Sequence, residues 1–239
     1  MSERQSKHVH HEDSSAGGGY LRDAIYGAND GIITTFAVVA GVAGASLSRD
    51  VVLILGFANL IADGISMGMS NYLGMKSQRD FEKKQRAHEE MEIELFPLEE
   101  REEVRAMYRA KGFFGAELER AVDIITADRK RWVDEMMIGE HGVVTGSEET
   151  PWTHGVVTFA AFIAAGALPL APFVLLGSIG HDFWLSIAST SATLFVVGSL
   201  RTLFTKQGWL KSGLEMLIIG LIAAGASYGI GAFISSLVR

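Results

Sequence analysis

Apolar and polar positions are divided very unevenly along the 239-residue chain. One apolar run extends from about Ala24 to Leu47 and a second from about Val51 to Met75, with only Ser48, Arg49, Asp50 and their neighbours between them. Each reaches the roughly 20 residues that cross a hydrocarbon core about 30 Å thick, so the pair predicts an antiparallel membrane hairpin. Three more runs follow a long charged stretch: about Trp152–Leu176, Phe183–Phe204 and Trp209–Val238. Pro169 and Pro172 fall inside the first of these and predict a kink or an early end, with neighbouring helices repairing the lost hydrogen bonds. Gly177–Asp182 and Thr205–Gly208 read as short turns. Five crossings are an odd number, which puts the two termini on opposite sides.

The charged stretch has helical periodicity. The second membrane helix is expected to continue as an aqueous one over Lys76–Leu95, since nothing breaks it before Pro97. A helix over Leu98–Lys111 can open on that proline and end at Gly112. A third is expected over Phe114–Ile138, with Phe114, Leu118, Ala121, Val122 and Ile125 as its apolar face. Gly139, Gly142 and Gly146 loosen the return path. The fold class is therefore an all-α membrane protein: five transmembrane helices with an inserted three-helix domain. Its expected parts are a polar tail at 1–19, transmembrane helices at 20–75, the insertion at 76–149 and transmembrane helices at 150–239.

Charge sharpens this division. Residues 76–149 carry 19 acidic and 13 basic side chains, whereas 153–239 carry only Asp182, Arg201, Lys206, Lys211, Glu215 and Arg239. An acidic insertion repels phosphate backbones and attracts cations, which argues against a nucleic-acid partner. The chain has no cysteine, so disulfides, thiolate metal sites and iron–sulfur clusters are excluded. The first 19 residues lack the apolar core of a cleaved signal. They read as a disordered tail, in which His8, His10 and His11 offer at most a weak metal site. Basic residues flank one side: Arg4, Lys7 and Arg22, then Lys76, Arg79, Lys83, Lys84 and Arg86, then Arg201, Lys206 and Lys211. The positive-inside rule places the N-terminus and the insertion in the cytoplasm and the C-terminus opposite.

Three groups of residues can carry chemistry. Glu89 with Glu92, and Glu100 with Glu103, are each spaced i,i+3 and so share a helix face. The break at Leu95–Pro97 lets the two helices fold back and the pairs face each other as an oxygen cage for a divalent cation; a solvated acidic surface has the same pattern. Met136, Met137 and Glu140 add thioethers beside a carboxylate, a set suited to a borderline or soft ion, although core methionines next to a surface acid look identical in sequence. Within the membrane, Asp30 and Asp63 are costly acids and site candidates by default, with Met67 four residues after Asp63 on the same face. Asn29, Thr34, Thr35, Asn59 and Ser66 add polarity, and Tyr26 can cap such a site or sit at the interface. A polar helix–helix contact is the structural alternative. No phosphate loop, HExxH or Glu-x-x-His pair is present. Gly41-Val42-Ala43-Gly44 and Gly220, Gly225 and Gly229 suggest close helix packing.

Asp23-Ala24-Ile25-Tyr26-Gly27-Ala28-Asn29-Asp30-Gly31, the Ala62-Asp63-Gly64-Ile65-Ser66-Met67-Gly68 segment with Tyr72-Leu73, and the helical insertion resemble the vacuolar iron transporter family in order and spacing, over roughly residues 20–238. That resemblance implies a secondary transporter that exports Fe2+, and often Mn2+, Co2+ or Zn2+, from the cytoplasm in exchange for protons, with no organic cofactor. It implies a homodimer in the lipid bilayer, with the path at or near the subunit interface. It assigns the cytoplasmic ligands to Glu89, Glu92, Glu100, Glu103, Met136, Met137 and Glu140, and the membrane metal position to Asp30 and Met67. Asp63 matches an acidic position that takes either metal or proton. The membrane would be the plasma (inner) membrane in a prokaryote and the vacuolar membrane in a eukaryote. Two readings compete: a membrane-anchored carboxylate iron oxidase, which the missing Glu-x-x-His pairs disfavour, and a metal sensor, which has no need of acids inside the membrane.

Overall fold

The computed structural model describes residues 18–143, 150–175, 182–203 and 208–238. The N-terminal histidines, Gly146 and most of the two expected turns at 177–182 and 205–208 lie outside the described residues. Among the described residues every regular element is helical. Among the described residues five helices are long and apolar enough to cross a membrane: Gly18–Gly44, Arg49–Leu95, Pro151–Leu175, Phe183–Leu200 and Trp209–Val238. The chain forms two compact units, one of residues 74–148 and one of the remainder.

In the larger unit, α1 (Gly18–Gly44) is the central element. It packs against α6 (Pro151–Gly166), α8 (Asp182–Leu200) and α9 (Trp209–Val238). Val39 and Val42 of α1 join Val52 and Leu60 of α2 (Arg49–Leu95) and Phe162 and Leu170 in one apolar cluster. Helix–helix contact is close because glycines stand where backbones meet. A Cβ on Gly31 would press on the Phe162 carbonyl oxygen and lie 3.0 Å from Phe162 Cα, and one on Gly166 would lie 2.8 Å from the Gly31 carbonyl oxygen. Similar seams join α1 to α9, where Gly44 would reach 3.0 Å from Tyr228 Cα, and α2 to α6, where Gly155 would reach 2.7 Å from the Gly68 oxygen. Gly225 and Gly229, expected to pack closely, meet no atom within 4 Å.

The third apolar run breaks as its prolines predict. After α6, a single 3-10 turn at Leu168–Leu170 leads into α7 (Ala171–Leu175). Side chains satisfy backbone carbonyls there: Ser186 Oγ donates to Pro169 O at 2.7 Å, and the Arg49 guanidinium donates to Phe173 O at 2.7 Å through Nε. The outer faces are apolar. Ile54, Phe57, Ile61 and Ile65 of α2 and Ile218, Ile222 and Phe233 of α9 are exposed, a surface suited to lipid and far larger than a water-soluble protein shows. The protein is an integral membrane protein.

The smaller unit begins inside α2, which runs unbroken for 47 residues. Pro97 disfavours helix at Phe96, and α3 (Pro97–Ala110) starts on the proline. The helix expected over Phe114–Ile138 is instead two, α4 (Gly115–Thr126) and α5 (Arg129–Gly139). Asp128 explains the break: its backbone is extended and its side chain accepts the Arg131 N–H at 2.8 Å, capping a new helix rather than continuing the old one. Ile93, Val104, Leu118, Val122, Trp132, Val133, Met136 and Met137 form the core of this unit. Of the apolar face expected on α4, Leu118 and Val122 are buried, whereas Phe114 is exposed.

Candidate metal centre

Five carboxylates of the smaller unit lie within electrostatic reach of one another, although the ligand atoms of Glu100 and Glu103 do not join those of the other three in a converging set. Glu89 and Glu92 come from α2, Glu100 and Glu103 from α3, and Glu140 from the C-cap of α5. Glu89 is 1% exposed and Glu100 6%. Burial, then the charges of Glu103, Glu89, Glu92 and Glu140, push the Glu100 carboxyl up to about 7. Glu103 is raised likewise, by burial first and then by Glu140, Glu89 and Glu92; its carboxyl hydrogen-bonds that of Glu140.

The basic residues nearby are engaged elsewhere. Arg86 pairs with Asp134 at 2.6 Å, Arg105 with Glu119 at 2.8 Å, Lys111 with Glu135 at 2.8 Å and Arg101 with Asp123. Among the described residues, none of the five clustered glutamates is paired with lysine or arginine. Glu89 Oε2 and Glu100 Oε2 are buried with no hydrogen-bond partner. Buried carboxylate oxygens left bare are costly, and a proton or a cation relieves such a cost. The donor set fits a divalent cation.

Met136 and Met137 are fully buried members of the core cluster that also holds Ile93 and Val104. They pack as apolar residues, and their thioethers lie in the unit that carries the glutamates. Two residues that the sequence argument passed over also belong here. His141 Nε2 lies 2.7 Å from Glu89 Oε1, and His88 Nδ1 lies 2.8 Å from Glu92 Oε2. Ligand atoms of Glu89, Glu140 and His141 fall within 4.8 Å of one another, as do those of His88, Glu89 and Glu92. The adjacency of His88 to Glu89 and of His141 to Glu140 was the available signal.

In the larger unit, Asp30 and Asp63 are half-buried, on α1 and α2, within electrostatic reach of each other. Asn59 Nδ2 donates to Asp63 Oδ2 at 2.7 Å, and Thr34 Oγ1 donates to the Asp30 backbone carbonyl at 2.8 Å. Met67, half-buried one turn beyond Asp63, packs on the α1–α2–α6 apolar cluster. Tyr26 is 63% exposed, as befits an interfacial tyrosine. A buried couple that the sequence did not reveal joins α1 to α6: Asp23 Oδ2 bonds His154 Nδ1, with Arg22 3.8 Å from Asp23 and the Tyr20 ring 4.7 Å from the imidazole. Close by, Asn71 Nδ2 donates to Thr158 Oγ1 at 2.7 Å. These partners are separated by 87 to 131 positions in the chain, beyond the reach of any spacing rule.

Comparison with known proteins agrees with this architecture. A family model described as "VIT family" matches residues 21–232. The chain is 36% identical over 228 residues to a protein named vacuolar iron transporter from Toxoplasma gondii, covering 92% of this chain and 76% of that one. It is 34% identical to a protein of the same name from Plasmodium falciparum, covering 88% and 81%. It is 31% identical to vacuolar iron transporter 1 of Arabidopsis thaliana, covering 95% and 91%.

Proposed function

Because the chain belongs to the VIT family, the family of vacuolar iron transporters, we propose that it is a secondary transporter exporting Fe2+ from the cytoplasm across its membrane in exchange for protons. Mn2+, Co2+ and Zn2+ are further cargo. The observation that carries this reading is the set of five mutually repelling glutamates, two of them with bare buried oxygens and none paired with lysine or arginine among the described residues. Such a cluster gathers divalent cations. Acids on two apolar helices, Asp30 and Asp63, supply a second station where a cation can bind inside the membrane.

In this mechanism the unit at 74–148 is a cytoplasmic domain. Glu89, Glu92, Glu100, Glu103 and Glu140 hold the incoming ion, with the thioethers of Met136 and Met137 favouring a transition metal. The ion passes to Asp30 and Met67. Protonation from the far side weakens carboxylate binding and releases it, and the proton leaves inward through Asp63 or the glutamates. The working form is a homodimer. A half-buried carboxylate on an apolar helix needs protein or water over it, and a second copy placed against α1 covers Asp30. The N-terminus lies in the cytoplasm and the C-terminus on the opposite side.

Flux in proteoliposomes tests the proposal. Fe2+ entry should accelerate with an acidic lumen, and luminal protons should leave as metal enters. Metal binding with no flux from a folded protein would instead point to a sensor, and O2-dependent Fe2+ oxidation to an oxidase.

A further inference from the structure

The glutamate cluster is bordered by an imidazole on the turn just past a helix end. Helix α5 closes with the Glu140 N–H on Met136 O and the Val143 N–H on Met137 O, both at 2.9 Å. Gly142 makes this closure possible, because its φ of +66° lies in the left-handed region that favours glycine. His141 thus sits in a turn pinned on one side by the buried Met137 and on the other by Val143, which packs on the core of the same unit. Its ring nitrogen meets Glu89 Oε1 at 2.7 Å, and the second oxygen of Glu89 is buried and bare, like one oxygen of Glu100.

That arrangement resembles two ligands joined across the place an ion would take. Adjacent donors about 2.1 Å from an octahedral ion stand about 3.0 Å apart. A carboxylate–imidazole couple at 2.7 Å is close to that spacing, and an ion entering there replaces the proton of the hydrogen bond while the imidazole turns its lone pair toward the ion. A cage of oxygens alone accepts Mg2+ and Ca2+ readily, whereas an imidazole donor suits iron, cobalt, nickel, copper and zinc.

We propose that His141 is a metal-contacting residue which, with Glu89 and Glu140, biases the cage toward nitrogen-accepting transition ions and against Mg2+ and Ca2+. This rests on the cage reading given above and adds its specificity. His88, more exposed and beside Glu92, is a second imidazole at the edge of the same cluster.

The test uses the full chain in detergent with Mn2+ below one equivalent, read by pulsed electron paramagnetic resonance. His8, His10, His11 and His88 are replaced by glutamine so that their nitrogens are silent. The expected result is imidazole nitrogen-14 modulation of the Mn2+ echo that disappears on adding H141Q. In the otherwise unaltered chain, H141Q should lower the ratio of Zn2+ to Mg2+ affinity about tenfold. Because the amide of glutamine can still bond Glu89, a merely positioning role would leave both readouts unmoved. Absence of nitrogen modulation before H141Q is added, or an unchanged affinity ratio after it, overturns the role of His141. If E89Q and E100Q leave Mn2+ binding unaltered, the cage reading itself fails and this inference with it.

Discussion

In the proposed mechanism Glu100 makes metal loading dependent on pH in a calculable way. Its carboxyl is pushed up to about 7, so in the metal-free protein it is roughly 10% ionised at pH 6 and 90% at pH 8. A cation that binds the carboxylate must displace the proton, and apparent affinity therefore falls about tenfold between pH 8 and pH 6, or about 1.4 kcal/mol. Glu103 is raised as well and acts in the same direction, so tenfold is a lower bound. Calorimetric titration of the full chain with Mn2+ in two buffers of different ionisation heat measures both affinity and proton release. At pH 7 Glu100 alone should contribute about half a proton per ion. The substitution E100Q should weaken binding at pH 8 and flatten the dependence. Stability of the metal-free chain has the opposite sense. The group ionises less easily when folded than at its ordinary 4.5, so its contribution is fully present below about 4.5 and is lost as pH rises through about 7. Affinity that stays constant from pH 6 to pH 8, with no buffer-dependent heat, would refute the reasoning.

Other substitutions separate the parts of the mechanism. D30N should abolish Fe2+ flux in proteoliposomes while Mn2+ binding by the full chain keeps its glutamate-dependent component; wild-type flux from D30N would remove Asp30 from the path. M137L conserves volume in a fully buried site and should cost under about 1.5 kcal/mol of stability. If the thioether is a ligand, M137L should reduce affinity for Co2+ several-fold more than for Mg2+, and equal effects on the two ions would leave Met137 as core alone. G31A places a Cβ against the Phe162 backbone and should destabilise by about 1–3 kcal/mol, seen as a lowered unfolding midpoint in detergent; an unchanged midpoint would mean that α1 and α6 can separate freely.

The five membrane-length helices were legible because each is a long apolar run bounded by polar residues, a pattern that depends on little else. The split of α4 from α5 is hidden in the sequence because apolar residues recur across it at Trp132 and Val133, while Asp128 acts as a cap only once its backbone is extended. Local spacing put Glu89 with Glu92 and Glu100 with Glu103 on common faces. It could not bring Glu140 to them, since that depends on the path of α4 and α5. His141 and His154 were missed for a related reason. Each takes its meaning from a carboxylate far away in sequence, Glu89 or Asp23, and a lone histidine carries no periodic signature.

The glycine seams have a consequence for how the protein moves. Backbone meets backbone where α1 crosses α6 and α9, and where α2 crosses α6. Such contacts have no flexible side chains to absorb sliding, and close-packed interiors resist small displacements. Asp30 adjoins one of these crossings directly at Gly31, so it is mounted on a strut that shifts only with its neighbours. In the proposed mechanism, exposure of that acid to one side and then the other would come from displacement of the pinned bundle as one body, against lipid or a second copy. Collective motions of that kind take microseconds to milliseconds, which would set a ceiling on turnover that substitutions among the glutamates could not raise.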